Sequence, residues 1–119
     1  METKITYSFK VVLRGEEKFF GPGTVTLLQN VDVTHSLLAA SKLMSLSYSK
    51  ATAMIKNAEA QLGFKLLMSR TGGVSGGGSE LTQEARELIR LYQQFVRDLT
   101  DCADSHFGTF LTQLQSLRL

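Results

Sequence analysis

Short hydroxyl-bearing and basic side chains cluster between residues 47 and 56, where the sequence predicts that a helix begins. Hydroxyls at the start of a helix suit phosphate binding, because the free amides and the helix dipole attract anions. Side chains of this size also reach base edges in a DNA groove, while lysines hold phosphates without reading sequence. The pattern favours DNA contact over an ordinary solvated polar face, with contacts from Ser47, Tyr48, Ser49, Lys50, Thr52 and Lys56.

A second candidate site is the glycine-rich run from residue 71 to residue 79. A nucleotide-binding P-loop needs a lysine followed by serine or threonine after its glycines, and this run has no lysine and leads into Glu80. The run instead predicts a wing tip whose backbone amides approach DNA phosphates, with an arginine at its base that can enter a minor groove. The predicted wing contacts are Arg70, Thr71, Gly72, Gly73 and Ser75.

The charge distribution supports these two sites. Residues 36–79 carry five basic side chains against Glu59 alone, a local net of +4, whereas the whole chain is only +2. Phosphate contacts made by such side chains would dominate affinity and make it sensitive to salt. The five are Lys42, Lys50, Lys56, Lys65 and Arg70.

The sequence offers no pattern for catalysis or for a metal. His35 and His106 fall on separate predicted elements, and neither has a cysteine or carboxylate at metal-ligand spacing. Cys102 stands four residues before His106, but two ligands do not make a site. We therefore expect no enzyme activity, metal or cofactor, and we expect Cys102 to be a small buried apolar residue.

Three helices and two hairpins must position these residues. Alternation over residues 4–13 predicts a strand, and a turn at Gly15 returns it, so residues 1–20 should form a hairpin. Pro22 suits the first turn of a helix that ends near Val33. Ser36 should cap the second helix and contribute to DNA contact.

After the turn at residues 45–47, the third helix should bury an apolar face and end at Gly63. Strands at residues 65–70 and 81–82 then flank the glycine run, and these parts define a helical core over residues 22–70 and a wing over residues 64–82. The order predicts a mainly α fold with small β elements, the winged helix-turn-helix.

A long helical region should follow over residues 82–118. Its apolar residues keep a 4-3-4-3 spacing, and Gly108 should break or kink it. A stripe of this length cannot all be buried in so small a body, so we expect a homodimer, against the alternative that the stripe packs on its own domain. The predicted interface residues are Leu88, Tyr92, Phe95, Leu99, Cys102, His106 and Phe110.

The size and composition suit one soluble domain over residues 1–119. The N-terminal residues alternate and lack the apolar stretch of a signal peptide, and no apolar run approaches the ~20 residues that span a bilayer. A single cysteine fits a reducing compartment. We therefore expect a cytoplasmic protein with no membrane partner.

Four motifs together resemble a known family. They are GPG at residues 21–23, S-x-x-A-A at 36–40, L-S-Y at 46–48 and TGGxxGGGxxLT at 71–82. The chain is similar over about residues 18–95 to the N-terminal DNA-binding domain of ModE, the molybdate-responsive regulator, and more distantly to the LysR-type headpiece. The resemblance implies a winged helix with an N-terminal β-hairpin that dimerises partly through the long helix and binds operator DNA.

The chain departs from the ModE pattern at three places. Ser45 stands at a turn position that is usually glycine, which is tolerable if its φ is negative. Thr52 replaces a residue that is often a large aromatic, so base preference can differ. The sequence ends at Leu119, where the family continues into molybdate-binding domains, so molybdate sensing is not carried over.

These observations predict a dimeric, sequence-specific transcriptional regulator that binds double-stranded DNA. The alternative is a protein-interaction module that kept the fold and lost DNA binding. A third reading is a small-ligand sensor with a pocket near Phe95, Phe107 and Phe110, although no polar anchors in the sequence support it.

Overall fold

The computed structural model describes residues 4–70 and 78–118. The elements in chain order are β1 (Leu13–Arg14), β2 (Lys18–Phe20), α1 (Pro22–Thr34), α2 (Leu37–Leu43), α3 (Tyr48–Leu62), β3 (Leu67–Arg70), β4 (Gly78–Leu81) and α4 (Gln83–Gln115). Two antiparallel pairs, β1 with β2 and β3 with β4, are the only sheets among the described residues. This is the predicted winged helix-turn-helix.

The chain divides into two compact units. One comprises residues 10–89, and the other comprises residues 1–9 and 90–119. The core of the first unit is built from α1, α2 and α3, and Leu27, Leu28 and Val31 of α1 are completely buried in it. Ala40 of α2 and Ala51 of α3 are also completely buried, and their small size lets the helix backbones approach closely.

Two helix ends in the first unit adopt the left-handed conformation without glycine. His35 ends α1 with φ 60°, and its amide donates to the carbonyl of Val31. Ser45 follows α2 with φ 56°. The negative φ under which serine was expected to be tolerated at this turn is therefore not observed. The amides of Ser45 and Leu46 donate back to the last turn of α2 at 3.1 and 2.9 Å, so the turn is a Schellman motif that holds serine where glycine is preferred.

Side-chain caps define the helices of the helix-turn-helix as predicted. The Ser36 hydroxyl accepts from the amide of Ala39 at the start of α2, and the Ser47 hydroxyl accepts from the amide of Lys50 at the start of α3. Gly63 ends α3 with φ 83°. The boundaries of α3 therefore follow from its capping residues.

The predicted strand over residues 4–13 is wrong for most of its length, because only its end pairs as β1, and residues 4–12 contain no strand. In the second unit residues 4–9 instead contact α4. Tyr7 donates a hydrogen bond to Asp104, and its ring lies 4.7 Å from that of Phe107. At Tyr7 the alternating pattern therefore reflects packing on a helix.

The prediction that Gly108 breaks the long helix is also wrong. Helix α4 continues through Gly108 to Gln115, and the Thr112 hydroxyl donates to the Gly108 carbonyl. One interior glycine costs a helix only about 1 kcal/mol, which the flanking turns can offset. Cys102, predicted to be buried, is exposed in the single chain, because the half-buried side of α4 runs through Thr100, Ala103 and Phe107.

Candidate nucleic-acid interface

Helix α3 presents an outward stripe of mostly small side chains. Ser49, Ala53, Lys56 and Ala60 follow a 4-3-4 spacing, and all four are exposed. The opposite face holds the buried Ala51, Ile55 and Ala58. Small side chains on an exposed helix allow its backbone to approach a partner closely. Ala53 and Ala60 were not predicted as part of the site, although the spacing that starts at Ser49 identifies them.

The N-terminus of α3 holds the predicted hydroxyls in two different states. Tyr48 is 53% exposed, and Ser49 is exposed beside it. The Ser47 hydroxyl already accepts a hydrogen bond from the amide of Lys50, which leaves its proton to donate. Thr52 is half-buried, and its Oγ1 atom is buried with no hydrogen-bond partner among the described residues. The Thr52 hydroxyl therefore does not reach outward.

The predicted cations of this unit remain available. Lys42 in the last turn of α2, Lys50 and Lys56 on α3, and Arg70 at the end of β3 are exposed. Within residues 4–70 and 78–118 none of these four forms an ion pair. Lys65 differs, because its ammonium lies 3.8 Å from the carboxylate of Glu59. The charge available to an anionic partner therefore comes from α2, α3 and β3.

The only acidic side chain of α3, that of Glu59, accepts hydrogen bonds from the wing. One carboxylate oxygen of Glu59 accepts from the amides of Leu66 and Leu67 at 2.7 and 3.4 Å, where β3 begins. The Glu59 side chain is only 12% exposed. This arrangement removes a negative charge from the outward face and also fixes β3 against α3.

The other strand of the wing is fixed at two points. The amide of Ser79 donates to the carbonyl of His35 at 2.9 Å, and a side chain on Gly78 would bring a Cβ within 2.4 Å of the same oxygen. Beyond β4, the Thr82 hydroxyl donates to the carbonyl of Lys65 at 2.7 Å and accepts from the amide of Ala85 at 3.0 Å. Hydrogen bonds therefore hold both strands at the base of the wing.

The remaining predicted contacts are those of the wing tip and of Ser36. Thr71, Gly72, Gly73 and Ser75 lie outside the described residues, so their contacts stay predictions. Ser36 is half-buried, and its hydroxyl serves as the cap of α2.

The predicted dimer residues divide along α4. Leu88 is half-buried and Tyr92 is buried, and this burial raises the pKa of the Tyr92 phenol. The other five are exposed in the single chain, which leaves apolar area uncovered in the second unit. They are Phe95, Leu99, Cys102, His106 and Phe110, and the equally exposed Leu91 was not predicted.

The described residues form neither a metal cluster nor a membrane-spanning helix. No three histidine, cysteine, aspartate or glutamate side chains come together for a metal among the described residues. Within the same ranges, no helix combines the length and apolar character that crossing a bilayer requires.

Comparison with known proteins gives one consistent result. Residues 24–86 match the bacterial regulatory helix-turn-helix proteins of the lysR family. The chain is 33% identical over 93 residues to the transcriptional regulator ModE of Yersinia pestis, covering 77% of this chain and 34% of that protein. It is 30% identical over 115 residues to the molybdenum transport protein ModE of Herbaspirillum seropedicae, covering 97% of this chain and 40% of that protein.

The chain thus spans about a third to two fifths of the length of these relatives. Among solved structures, the CbnR DBD–DNA complex is similar with a TM-score of 0.53 at 20% identity, covering 73% of this chain and 94% of that one. At this identity the likeness concerns the fold.

Proposed function

We propose that this chain, which belongs to the lysR family of bacterial regulatory helix-turn-helix proteins, binds double-stranded DNA through α3 and the wing. It regulates transcription as a homodimer. Residues 1–119 act as one DNA-binding domain in the cytoplasm. The observation that carries the proposal is the exposed side of α3, where the small side chains of the stripe accompany the unpaired Lys50 and Lys56 and no described carboxylate of the helix is free.

Each part of this surface has a separate role in binding. Ser49 and Tyr48 read base edges, a role that their exposure at the start of α3 supports. Lys42, Lys50 and Lys56 hold phosphates, which fixes the position of α3 without reading sequence. Arg70 contacts the backbone or the minor groove at the base of the wing.

A salt series measures these contacts. The logarithm of the binding constant of the full chain for duplex DNA should fall linearly with the logarithm of the salt concentration. Each lost phosphate contact should reduce the slope by about 0.9. Lys50→Gln and Lys56→Gln should each do so on every duplex tested. Lys4→Gln, which removes an exposed charge from the other compact unit, serves as the matched control and should leave the slope unchanged.

Selection of preferred DNA sequences distinguishes the side chains that contact bases from those that bind phosphates. Tyr48→Ala should change the preference among duplexes, whereas Lys50→Gln should weaken all of them alike. Equal losses on every duplex for both variants would contradict this division of roles. Absence of binding by the wild-type chain at low salt would refute DNA binding and leave the protein-interaction module as the better reading.

Dimerisation would use the apolar stripe of α4. Phe95 is 49% exposed and Leu99 is 36% exposed, and a second copy would cover them. Two copies would place their α3 helices about 34 Å apart in successive major grooves, so the selected site should be two-fold symmetric. In sedimentation experiments Phe95→Lys should give monomers, whereas Ser105→Lys, an exposed position outside the stripe, should not. A wild-type monomer at high concentration would refute the dimer.

A further inference from the structure

A groove of about 500 Å³ lies in the first unit between the β1–β2 hairpin, the start of α1 and one side of α3. Phe20, Met44, Leu46 and Met54 contribute apolar lining, and Phe20 is only 2% exposed. Lysines line it from three separate segments of the chain: Lys10 before β1, Lys18 in β2 and Lys50 in α3. The groove therefore combines an apolar lining with basic side chains.

The charges along the groove all have one sign. Its lining contains no aspartate or glutamate, and the three lysines are exposed. Within the described ranges none of the three has an ion-pair partner. Unpaired ammonium groups that share a cleft attract a polyanion, because their fields add and no carboxylate opposes them. This feature was not predicted, because residues 1–35 are neutral in total and their basic side chains separate from the acidic ones only in the fold.

The start of α1 adds hydrogen-bond donors to the same groove. Its N-cap is Gly21, which has no side chain to satisfy the first amides of this 13-residue helix. Thr24 lines the groove and is only 6% exposed, and its side chain has no hydrogen-bond partner among the described residues. Free amides and a hydroxyl at a helix N-terminus are groups that bind phosphate.

We infer that this groove binds the sugar–phosphate backbone of the same duplex that α3 contacts, with Lys10 and Lys18 each neutralising a phosphate. Helix α3 carries both surfaces: Lys50, Met54 and Asn57, spaced by four and three residues, line the groove beside the outward stripe. A duplex that receives the stripe in its major groove has a phosphate strand bordering that groove. The inference rests on the proposed DNA binding and extends the contact to the N-terminal hairpin.

The test compares four forms of the full chain on one selected duplex across a salt series: wild type, K10Q/K18Q, K10R/K18R and R14Q. The double glutamine variant should reduce the salt slope by about 1.8 and weaken binding roughly thirty-fold at about 0.15 M salt, with unchanged sequence preference. The double arginine variant should retain the wild-type slope. Arg14 is an exposed cation of the same hairpin that does not line the groove, so R14Q should also retain it.

Two outcomes would overturn the inference alone: a wild-type slope for K10Q/K18Q while K50Q lowers it, or an equal loss for R14Q. Failure of the wild-type chain to bind any duplex would overturn the proposed function as well, which separates the two. Phosphate ethylation interference on the wild-type protein gives a second readout. Ethylation of the phosphates that the hairpin contacts should weaken binding of the wild type but not of K10Q/K18Q. Identical interference patterns for the two proteins would refute the hairpin contacts.

Discussion

Replacing Ser45 by glycine is expected to stabilise the domain. Ser45 has φ 56°, a left-handed conformation that costs a residue with a Cβ roughly 1–2 kcal/mol. Glycine removes this cost but gains more freedom in the unfolded chain, which offsets about 0.5–1 kcal/mol. The net expectation is a gain of about 0.5–1 kcal/mol in the free energy of unfolding.

Urea unfolding followed by circular dichroism measures this change. The midpoint should rise with an unchanged dependence on urea, and the melting temperature should rise by about 2–6 °C for a chain of this size. Ser45→Ala is the matched control, because alanine keeps the Cβ and should give no gain. The backbone of the turn stays the same, so DNA affinity should not change. A glycine variant no more stable than the alanine variant would refute the assigned strain.

Three further predictions concern the wing and the second unit. Gly78→Ala should destabilise the domain by about 1–3 kcal/mol in urea unfolding, because its Cβ would meet the His35 carbonyl at 2.4 Å. Thr82→Val should lower the free energy of unfolding by about 1–2 kcal/mol, because a buried cap loses the hydrogen bonds that its hydroxyl donates and accepts. The hydrogen bond to Asp104 raises the pKa of Tyr7 to about 12. The stabilising effect of this hydrogen bond should therefore be complete below pH 10 and lost as pH rises through 12. Asp104→Asn should lower the pKa of Tyr7 in an ultraviolet titration.

Each of these has its own control. Gly108→Ala adds a Cβ that meets no atom within 4 Å and should stabilise α4 by about 1 kcal/mol, so a loss like that of Gly78→Ala would contradict the steric argument. Thr82→Ser keeps the hydroxyl and should recover most of the loss that valine causes. Tyr7→Phe should remove the titration step near pH 12, and persistence of that step would assign it to another tyrosine.

Local signals were sufficient to predict the helix-turn-helix and the wing. Ser36, Ser47 and Gly63 fix helix ends through their own hydrogen bonds or φ, and such short-range chemistry can be read from a sequence. Segment 4–12 could not be predicted in this way, because alternation cannot distinguish a strand from a segment that packs along a helix. The left-handed φ of Ser45 also depends on tertiary structure, because packing of α2 and α3 imposes a turn that serine does not favour.

The candidate site was predicted in part for similar reasons. Residue type identified Tyr48, Lys50 and Lys56, which are exposed on α3. The inward hydroxyl of Thr52 and the groove that joins Lys10 and Lys18 to α3 depend on how segments meet in space. No spacing in the sequence encodes these contacts.

The bond from Glu59 to the first amides of β3 limits how this domain can diverge. A substitution that tilts α3 to suit a different site also displaces β3, because one carboxylate joins them. Changes of target are therefore easier to reach by exchanging side chains at Ser49, Ala53 and Ala60, which lie outside the core. Paralogues of such a domain should keep the helix axis and the wing in place and differ chiefly in that exposed row of residues.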